Sequence, residues 1–254
     1  MMLTAVILSP HRDDAVFSLG LCLARWSRRQ IPLRVINFFT LSSYAPYARH
    51  KDLGSVSRIR RQEDQKVLGQ ISPGIQVRDL NLVDAPVRLN IPENSVCNPD
   101  TSSPLEERDV SDIASHICRF SRFSLILAPL ALGDHIDHLL VRAGALRSMR
   151  GKQLAFYEDL PYATWIPAGI LRARVADTEL QLGYRLHPVV TRDQDAVSKK
   201  RKLAAAYRSQ ISAVEADVIA RWSAKYGGGE RIWAPASSGA WLSFLRRSDG
   251  AFSG

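Results

Sequence analysis

Apolar positions along the chain follow two rhythms. Residues 3–9 centre on the unbroken run Ala5-Val6-Ile7-Leu8, the pattern of a strand buried on both faces. Over residues 13–29 the rhythm changes: Val16, Leu19, Leu23 and Trp26 recur at helical spacing, and Arg25, Arg28 and Arg29 gather near the end. The alternation continues, with strands predicted at 33–40, 77–82, 124–129 and 154–157 and helices at 55–68, 109–120 and 134–149. Gly69 reads as the stop of the second helix, and Gly133 precedes the fourth. Strands alternating with helices imply βαβ units, a mostly parallel sheet, and helices on both faces through right-handed crossovers. The expected fold class is α/β, a Rossmann-like mostly parallel sheet flanked by helices, with a less regular helical C-terminal portion.

Two stretches break the rhythm. Residues 41–54 and 83–108 are rich in Pro, Ser, Asn and charge, and the second is too long for an ordinary connector, which marks a substrate loop or a partly disordered segment. After Pro161 the pattern weakens into a long helical region over 196–220, a Gly227-Gly228-Gly229 hinge and a tail. There Trp222, Trp233 and Trp241 are expected to pack helices on the sheet, and 248–254 to fray. No internal repeat is present. The 254 residues suit one large domain over 1–254, with 1–160 as the core and 161–254 as an extension packed on it.

Composition narrows the class. Hydrophobic residues make up 46% and charged residues 23%, as in an ordinary globular protein, and no apolar run approaches the roughly 20 residues of a membrane span. Met1-Met2-Leu3-Thr4 carries no positive charge, unlike a signal peptide. Cys22, Cys97 and Cys118 are few, odd in number and widely spaced, so reduced thiols and a cytoplasmic location are expected. The net charge of +9 attracts anions in general. Its one dense run, Lys199-Lys200-Arg201-Lys202, reads as a solvated helix face. No nucleic-acid motif accompanies the charge, so no nucleic-acid partner is expected. The first strand lacks a G-x-G-x-x-G turn, which leaves a dinucleotide role unsupported. A homo-oligomer is compatible with the sequence but not required by it.

Two segments carry candidate chemistry. Ser9-Pro10-His11-Arg12-Asp13-Asp14 follows the first strand, and Gly133-Asp134-His135-Ile136-Asp137-His138 follows the fourth. In open α/β sheets, ligand sites lie beyond the carboxyl ends of strands, and strands one and four are neighbours in the common doubly wound order. Imidazoles and carboxylates from both turns can then converge, and both are good zinc ligands. Each motif alone is weak: His11 with Asp13 and Asp14 is also what a helix cap looks like. Arg60 and Arg88 are candidates to hold phosphate, carboxylate or sugar oxygens, with surface pairing such as Arg60 to Asp64 as the bland alternative. Glu158 and Asp159, at the end of the fifth strand, suit a cleft rim or a simple turn. Tyr44, Tyr47 and Tyr162 are candidates to stack on a sugar ring.

These segments resemble the PIG-L/LmbE-like N-acetylglucosaminyl deacetylases. That family has a His-Pro-Asp-Asp-type motif after its first strand and a His-x-Asp-His motif after a later one. Supporting segments are Arg60-x-x-Glu63 with Leu68-Gly69, Asp84-Ala85-Pro86-Val87-Arg88, Tyr157-Glu158-Asp159-Leu160-Pro161-Tyr162, Tyr207-x-Ser209-Gln210 and Glu230-Arg231-Ile232-Trp233. Arg12 replaces the family's proline and Ala15 its following acid, departures that bear on substrate preference. The resemblance implies a hydrolase removing an N-acetyl group from an amino sugar or its conjugate. It implies Zn2+, or another divalent ion such as Fe2+, on His11, Asp14 and His138. Asp13 would be the general base. His135 would stabilise the oxyanion or protonate the leaving amine, and Asp137 would orient it. Arg12, Arg60, Arg88, Asp159 and Tyr162 are the expected substrate contacts. The rival readings are a zinc amidase acting on a non-sugar amide and a non-enzymatic polyanion-binding module.

Overall fold

The computed structural model describes residues 4–97, 105–121, 124–148, 154–248 and 251–252. In chain order they form β1 (Thr4–Ser9), α1 (Asp14–Arg28), β2 (Leu33–Leu41), α2 (Leu53–Ile71), β3 (Gln76–Val83), α3 (Ala85–Leu89), α4 (Glu107–Ser121), β4 (Ser124–Pro129), α5 (Ile136–Ser148) and β5 (Leu154–Tyr157). The second half adds α6 (Ala168–Leu182), β6 (His187–Arg192), α7 (Ala196–Ala204), α8 (Ala213–Trp222), β7 (Gly229–Ala234), α9 (Gly239–Ser248) and β8 (Ala251–Phe252).

All strands join one sheet in the order β3-β2-β1-β4-β5-β7-β6-β8. The first five run parallel, and β7, β6 and β8 extend the edge in antiparallel fashion. The apolar run of β1 is central because both its faces are covered; Ala5, Val6, Ile7 and Leu8 have no solvent exposure. The chain reverses direction across the sheet between β1 and β4, which creates a crevice at the ends of those two strands. Both candidate motifs open onto it. The Tyr157 hydroxyl donates to the Leu8 carbonyl at 2.8 Å, tying the end of β5 to the end of β1.

Helix α1 is buried from Asp14 to Leu23 because α7 covers the face the sheet leaves free. It is interrupted at Leu19 (φ −129°, ψ 16°). Two buried side chains serve its backbone around the interruption. Glu230 Oε2 accepts the Cys22 N–H at 2.8 Å, and Lys200 Nζ donates to the Val16 carbonyl at 3.2 Å. Lys200 and Glu230 also pair with each other. Lys200 is therefore not part of a solvated face, as the charge run suggested. Its neighbours Lys199 and Arg201 do point outward, to Asp193 and Asp217.

Other differences from expectation have local causes. Helix α2 runs through Gly69 to Ile71, because an isolated helical glycine costs only about 1 kcal/mol. Its start is capped by Asp52, which accepts the Ser55 N–H at 2.8 Å. The region 196–220 is two helices, and Ser212 and Glu215 form a capping box at the second. The C-terminal portion supplies strands β6, β7 and β8 in addition to helices. Of the stretch 83–108, α3 is ordered helix and residues 98–104 lie outside the described residues. Of the tail expected to fray, Ala251 and Phe252 pair with β6, and 249–250 and 253–254 lie outside the described residues. Among the described residues no helix is long and apolar enough to cross a membrane.

Candidate metal centre

The turn after β1 is clamped by Ser9, whose hydroxyl donates to the His11 carbonyl at 2.5 Å and accepts the Ala15 N–H at 3.0 Å. Asp13 occupies the N-cap position of α1 but makes no capping bond, so its carboxylate is left for the crevice. Asp14 Oδ2 accepts the His11 N–H at 2.7 Å. The turn after β4 is tightly wound, with positive φ at Ala131 (57°), Gly133 (79°) and Asp134 (54°). Gly133 is needed twice over: for its φ, and because a Cβ there would lie 2.8 Å from the Tyr162 ring. This turn sets His135 just ahead of α5 and His138 in its first turn.

The two turns bring donors from His11, Asp14 and His138 within 4.8 Å of one another. His11 Nδ1 and His138 Nε2 each lie 3.2 Å from Asp14 Oδ2. Yet His138 Nε2 is buried with no hydrogen-bond partner, so these atoms converge on a shared point rather than on each other. That is the arrangement a divalent ion completes. The far side of each imidazole is held by a carboxylate. His11 Nε2 meets Asp137 Oδ2 at 3.1 Å, and His138 Nδ1 meets Asp159 Oδ1 at 2.6 Å. A second donor group, His11 with His135 and Asp137, shares His11. It is the poorer candidate, since Asp137 already accepts from Ala85 N and Arg88 at 2.9 Å each.

The charges agree with this geometry. Burial disfavours the imidazolium of His11, but hydrogen bonds to Asp137 and Asp14 outweigh it and raise its pKa to about 9. Burial likewise opposes a charged His138, and Asp14 and Asp159 raise it to about 10. Burial also works against an ionised Asp14, yet positive His138 and His11 hold it far below the usual carboxylate range. Without an ion, protons fill the place of the positive charge. His135 is the opposite case: burial, then the charges on His11 and His138, lower it to about 3.

The expected site residues divide into those on the crevice and those behind it. His11, Asp13, Asp14, Arg60, His135 and Tyr162 line the pocket. Arg12 does not. It is 2% exposed and donates to the Thr40 and Ser57 carbonyls and to Asp79, so it is corrected from substrate contact to a brace between β2, α2 and β3. Arg88 is also redirected, to Asp137 Oδ1 at 2.9 Å and the Val83 carbonyl at 2.7 Å. Asp159 has no solvent exposure and holds His138, which places it behind the donors rather than on substrate. The Asp137 carboxylate holds His11, not His135; only its backbone N–H reaches His135, donating to Nδ1 at 3.1 Å. Arg60 does not pair with Asp64. It donates to Asp13 Oδ1 at 3.2 Å, while Asp64 takes Asn37 and Tyr207. Glu158 anchors the C-terminal portion, accepting from Trp222, Tyr226, Arg231 and Trp233.

Sequence reasoning missed several walls of the pocket: Asp84, Glu93, Trp165, Gln210 and Glu215. Asp84 and Gln210 stand in segments already notable by resemblance. Nothing in the spacing of Glu93, Trp165 or Glu215 marks them.

The second carboxylate behind the donors has a testable weight. Asp159→Asn is expected to weaken divalent-ion affinity about 10–100-fold while leaving the fold intact, because the partner that fixes the His138 ring loses its charge. Competition with a chromogenic chelator reads this directly.

The fold and the crevice together define a Rossmann-like α/β protein with a His-Asp-His centre suited to a divalent ion. The chain belongs to the PIG-L family, matching its description "GlcNAc-PI de-N-acetylase" over residues 6–149. A 2'-N-acetylparomamine deacetylase from Streptomyces fradiae is 32% identical over 163 residues, which is 62% of this chain and 57% of the relative. The match thus spans little more than half of that curated relative. Among solved structures, a teicoplanin deacetylase in its zinc-inhibited form superposes with a TM-score of 0.64 at 22% identity, covering 91% of this chain and 97% of that one. N,N'-diacetylchitobiose deacetylase from Pyrococcus horikoshii gives 0.57 at 18% identity, over 91% and 84%. At these identities the two structures speak for the fold.

Proposed function

We propose that this chain is a metal-dependent N-deacetylase that releases acetate from an N-acetylated amino sugar. The observation that carries the proposal is the convergence of His11, Asp14 and His138 around an unpartnered His138 Nε2. Family membership and the deacetylase relatives support the choice of reaction. Zinc suits the donor set, and iron(II) is an alternative.

The ion supplies Lewis acidity toward the amide carbonyl and makes water easier to deprotonate. The chain's own residues do the rest. Asp13 Oδ1 is pinned by Arg60, which leaves the side chain facing the pocket. From there it takes the proton of the attacking water and returns it to the departing nitrogen. Water and amide are thereby converted to acetate and amine. His135 Nδ1 accepts the Asp137 N–H, so the neutral ring carries its proton on Nε2. With its pKa lowered to about 3, first by burial, His135 stays neutral at ordinary pH. Its Nε2–H suits a hydrogen bond to the developing oxyanion. Asp137 and Asp159 hold His11 and His138, Arg88 steadies Asp137, and Tyr162 packs edge-on against His138 at 5.1 Å.

Chelator-stripped protein is expected to release no acetate from 2'-N-acetylparomamine or N,N'-diacetylchitobiose, and to recover when a divalent ion is restored. Reloading has a predictable pH sign. His11 and His138 hold protons in the ion-free site up to about 9 and 10, and an ion must displace them. Apparent affinity therefore rises with pH and falls on acidification. Full activity after complete removal of the ion would sink the proposal.

A further inference from the structure

We infer that the outer part of the pocket selects an acetylated amino sugar that carries free ammonium groups elsewhere on the molecule. The inference rests on the deacetylase reading above and names the substrate class for that site.

The net charge of +9 invites the opposite idea, an anionic substrate. The side chains facing the pocket argue against it. The three arginines near the site direct their terminal guanidinium nitrogens to protein acceptors, and the Nε atoms of Arg12 and Arg88, though unpartnered, belong to side chains that do not line the pocket. Arg12 is spent on Asp79 and two carbonyls, Arg88 on Asp137 and Val83, and Arg60 on Asp13, Ser42 and Tyr44. Apart from Asp13 and Asp14, the pocket is lined by Asp84, Glu93 and Glu215. Arg60 is the one lining arginine or lysine among the described residues, and it is already tied to Asp13. Glu215 accepts only from the neutral Ser212 N–H and Tyr47 hydroxyl. Burial raises the Glu93 pKa and Asp84 adds to the shift, while Lys51 opposes it. The Lys51 ammonium is bound to the Ala45 carbonyl and does not line the pocket.

Asp84 gives the independent sign of a ligand. It is 2% exposed, stands at the start of α3 without making a capping bond, and faces the pocket. Its Oδ1 is buried and has no hydrogen-bond partner. A buried carboxylate oxygen without a donor is expensive, and an ammonium or hydroxyl from the ligand removes that cost. Three carboxylates in a concave wall also concentrate cations locally whatever the sign of the whole surface. Tyr44, Tyr162 and the largely exposed Trp165 add faces on which a sugar ring can stack and an ammonium can rest.

The test compares two probes on the metal-loaded protein: cationic 2'-N-acetylparomamine and neutral N,N'-diacetylchitobiose. The expected result is a kcat/KM at least about tenfold higher for the cationic probe at low salt, with the advantage shrinking as ionic strength rises. Glu93→Gln should reduce the cationic-to-neutral ratio about threefold and Asp84→Asn about tenfold, the larger effect belonging to the buried group. Calorimetry on the metal-loaded Asp13→Asn protein, with and without Glu93→Gln, reads binding apart from turnover. Selective, salt-sensitive binding of the cationic probe there sustains the inference even if no acetate is ever released, an outcome that sinks only the deacetylase reading. Acetate release at equal efficiency from both probes, or no loss of cation preference in either variant, overturns the inference and leaves the deacetylase reading standing.

Discussion

Asp13→Asn is expected to lower kcat about 10²–10⁴-fold while the protein keeps its divalent ion, the signature of a lost general base. Asparagine preserves the size of the side chain and an oxygen for Arg60, which now bonds Asp13 Oδ1 at 3.2 Å. What it removes is the ability to take a proton. Asp13 contributes no atom to the converging donor group, so the ion has no reason to leave. His138→Ala should behave in the opposite way. It deletes His138 Nε2, a buried donor atom with no hydrogen-bond partner, and is expected to strip the ion along with the activity. Metal analysis by mass spectrometry alongside acetate release separates the two. If Asp13→Asn lost its ion in step with its rate, Asp13 would have to be a ligand; if it kept its rate, the base would lie elsewhere.

The contrast between Asp13 and Asp14 shows how much of the site the sequence reveals. Two turns bearing His and Asp, each following an apolar strand, suffice to predict convergence, because the order β2-β1-β4 forces their ends together. The parallel half of the sheet was legible for the same reason: continuous apolar runs and helical spacing are local signals. The partner each polar atom finds is not local. Asp137 and Asp159 are motif residues, yet only the packed structure shows that their carboxylates stand behind His11 and His138. Arg12 is adjacent to a ligand in sequence, but its long side chain reaches away, across β2 to Asp79. Glu93 comes from a connection whose course no periodicity encodes, and Glu215 from the first turn of α8, where its spacing from Ser212 marks a helix start and not a pocket wall. Strands β6 and β7 were missed because their apolar runs are short, one interrupted by Pro188 and the other by Glu230 and Arg231, and they pair antiparallel with partners far along the chain.

The C-terminal portion is also where the largest change in stability is expected. Glu230→Ala should destabilise the protein by about 3–5 kcal/mol, the usual consequence of removing one partner of a buried ion pair. Lys200 is 1% exposed and Glu230 4%, so water cannot take the place of the missing carboxylate. The variant leaves a buried ammonium with the Val16 carbonyl as its remaining partner, and orphans the Cys22 N–H as well. Both groups belong to the interrupted helix α1, whose first turn carries Asp14, so damage here reaches the metal centre through the backbone. Glu230→Gln should cost less, since its amide oxygen can still accept from Cys22. Replacing both partners, with Lys200→Met and Glu230→Gln together, should recover much of the loss, because the pair's attraction largely offsets its own desolvation. Urea denaturation of the parent, Lys200→Met, Glu230→Gln and the double variant forms the cycle, with Glu230→Ala measured beside it. A Glu230→Ala variant within about 0.5 kcal/mol of the parent, the range of an ordinary surface change, would mean that the pair does not hold the interrupted helix in place.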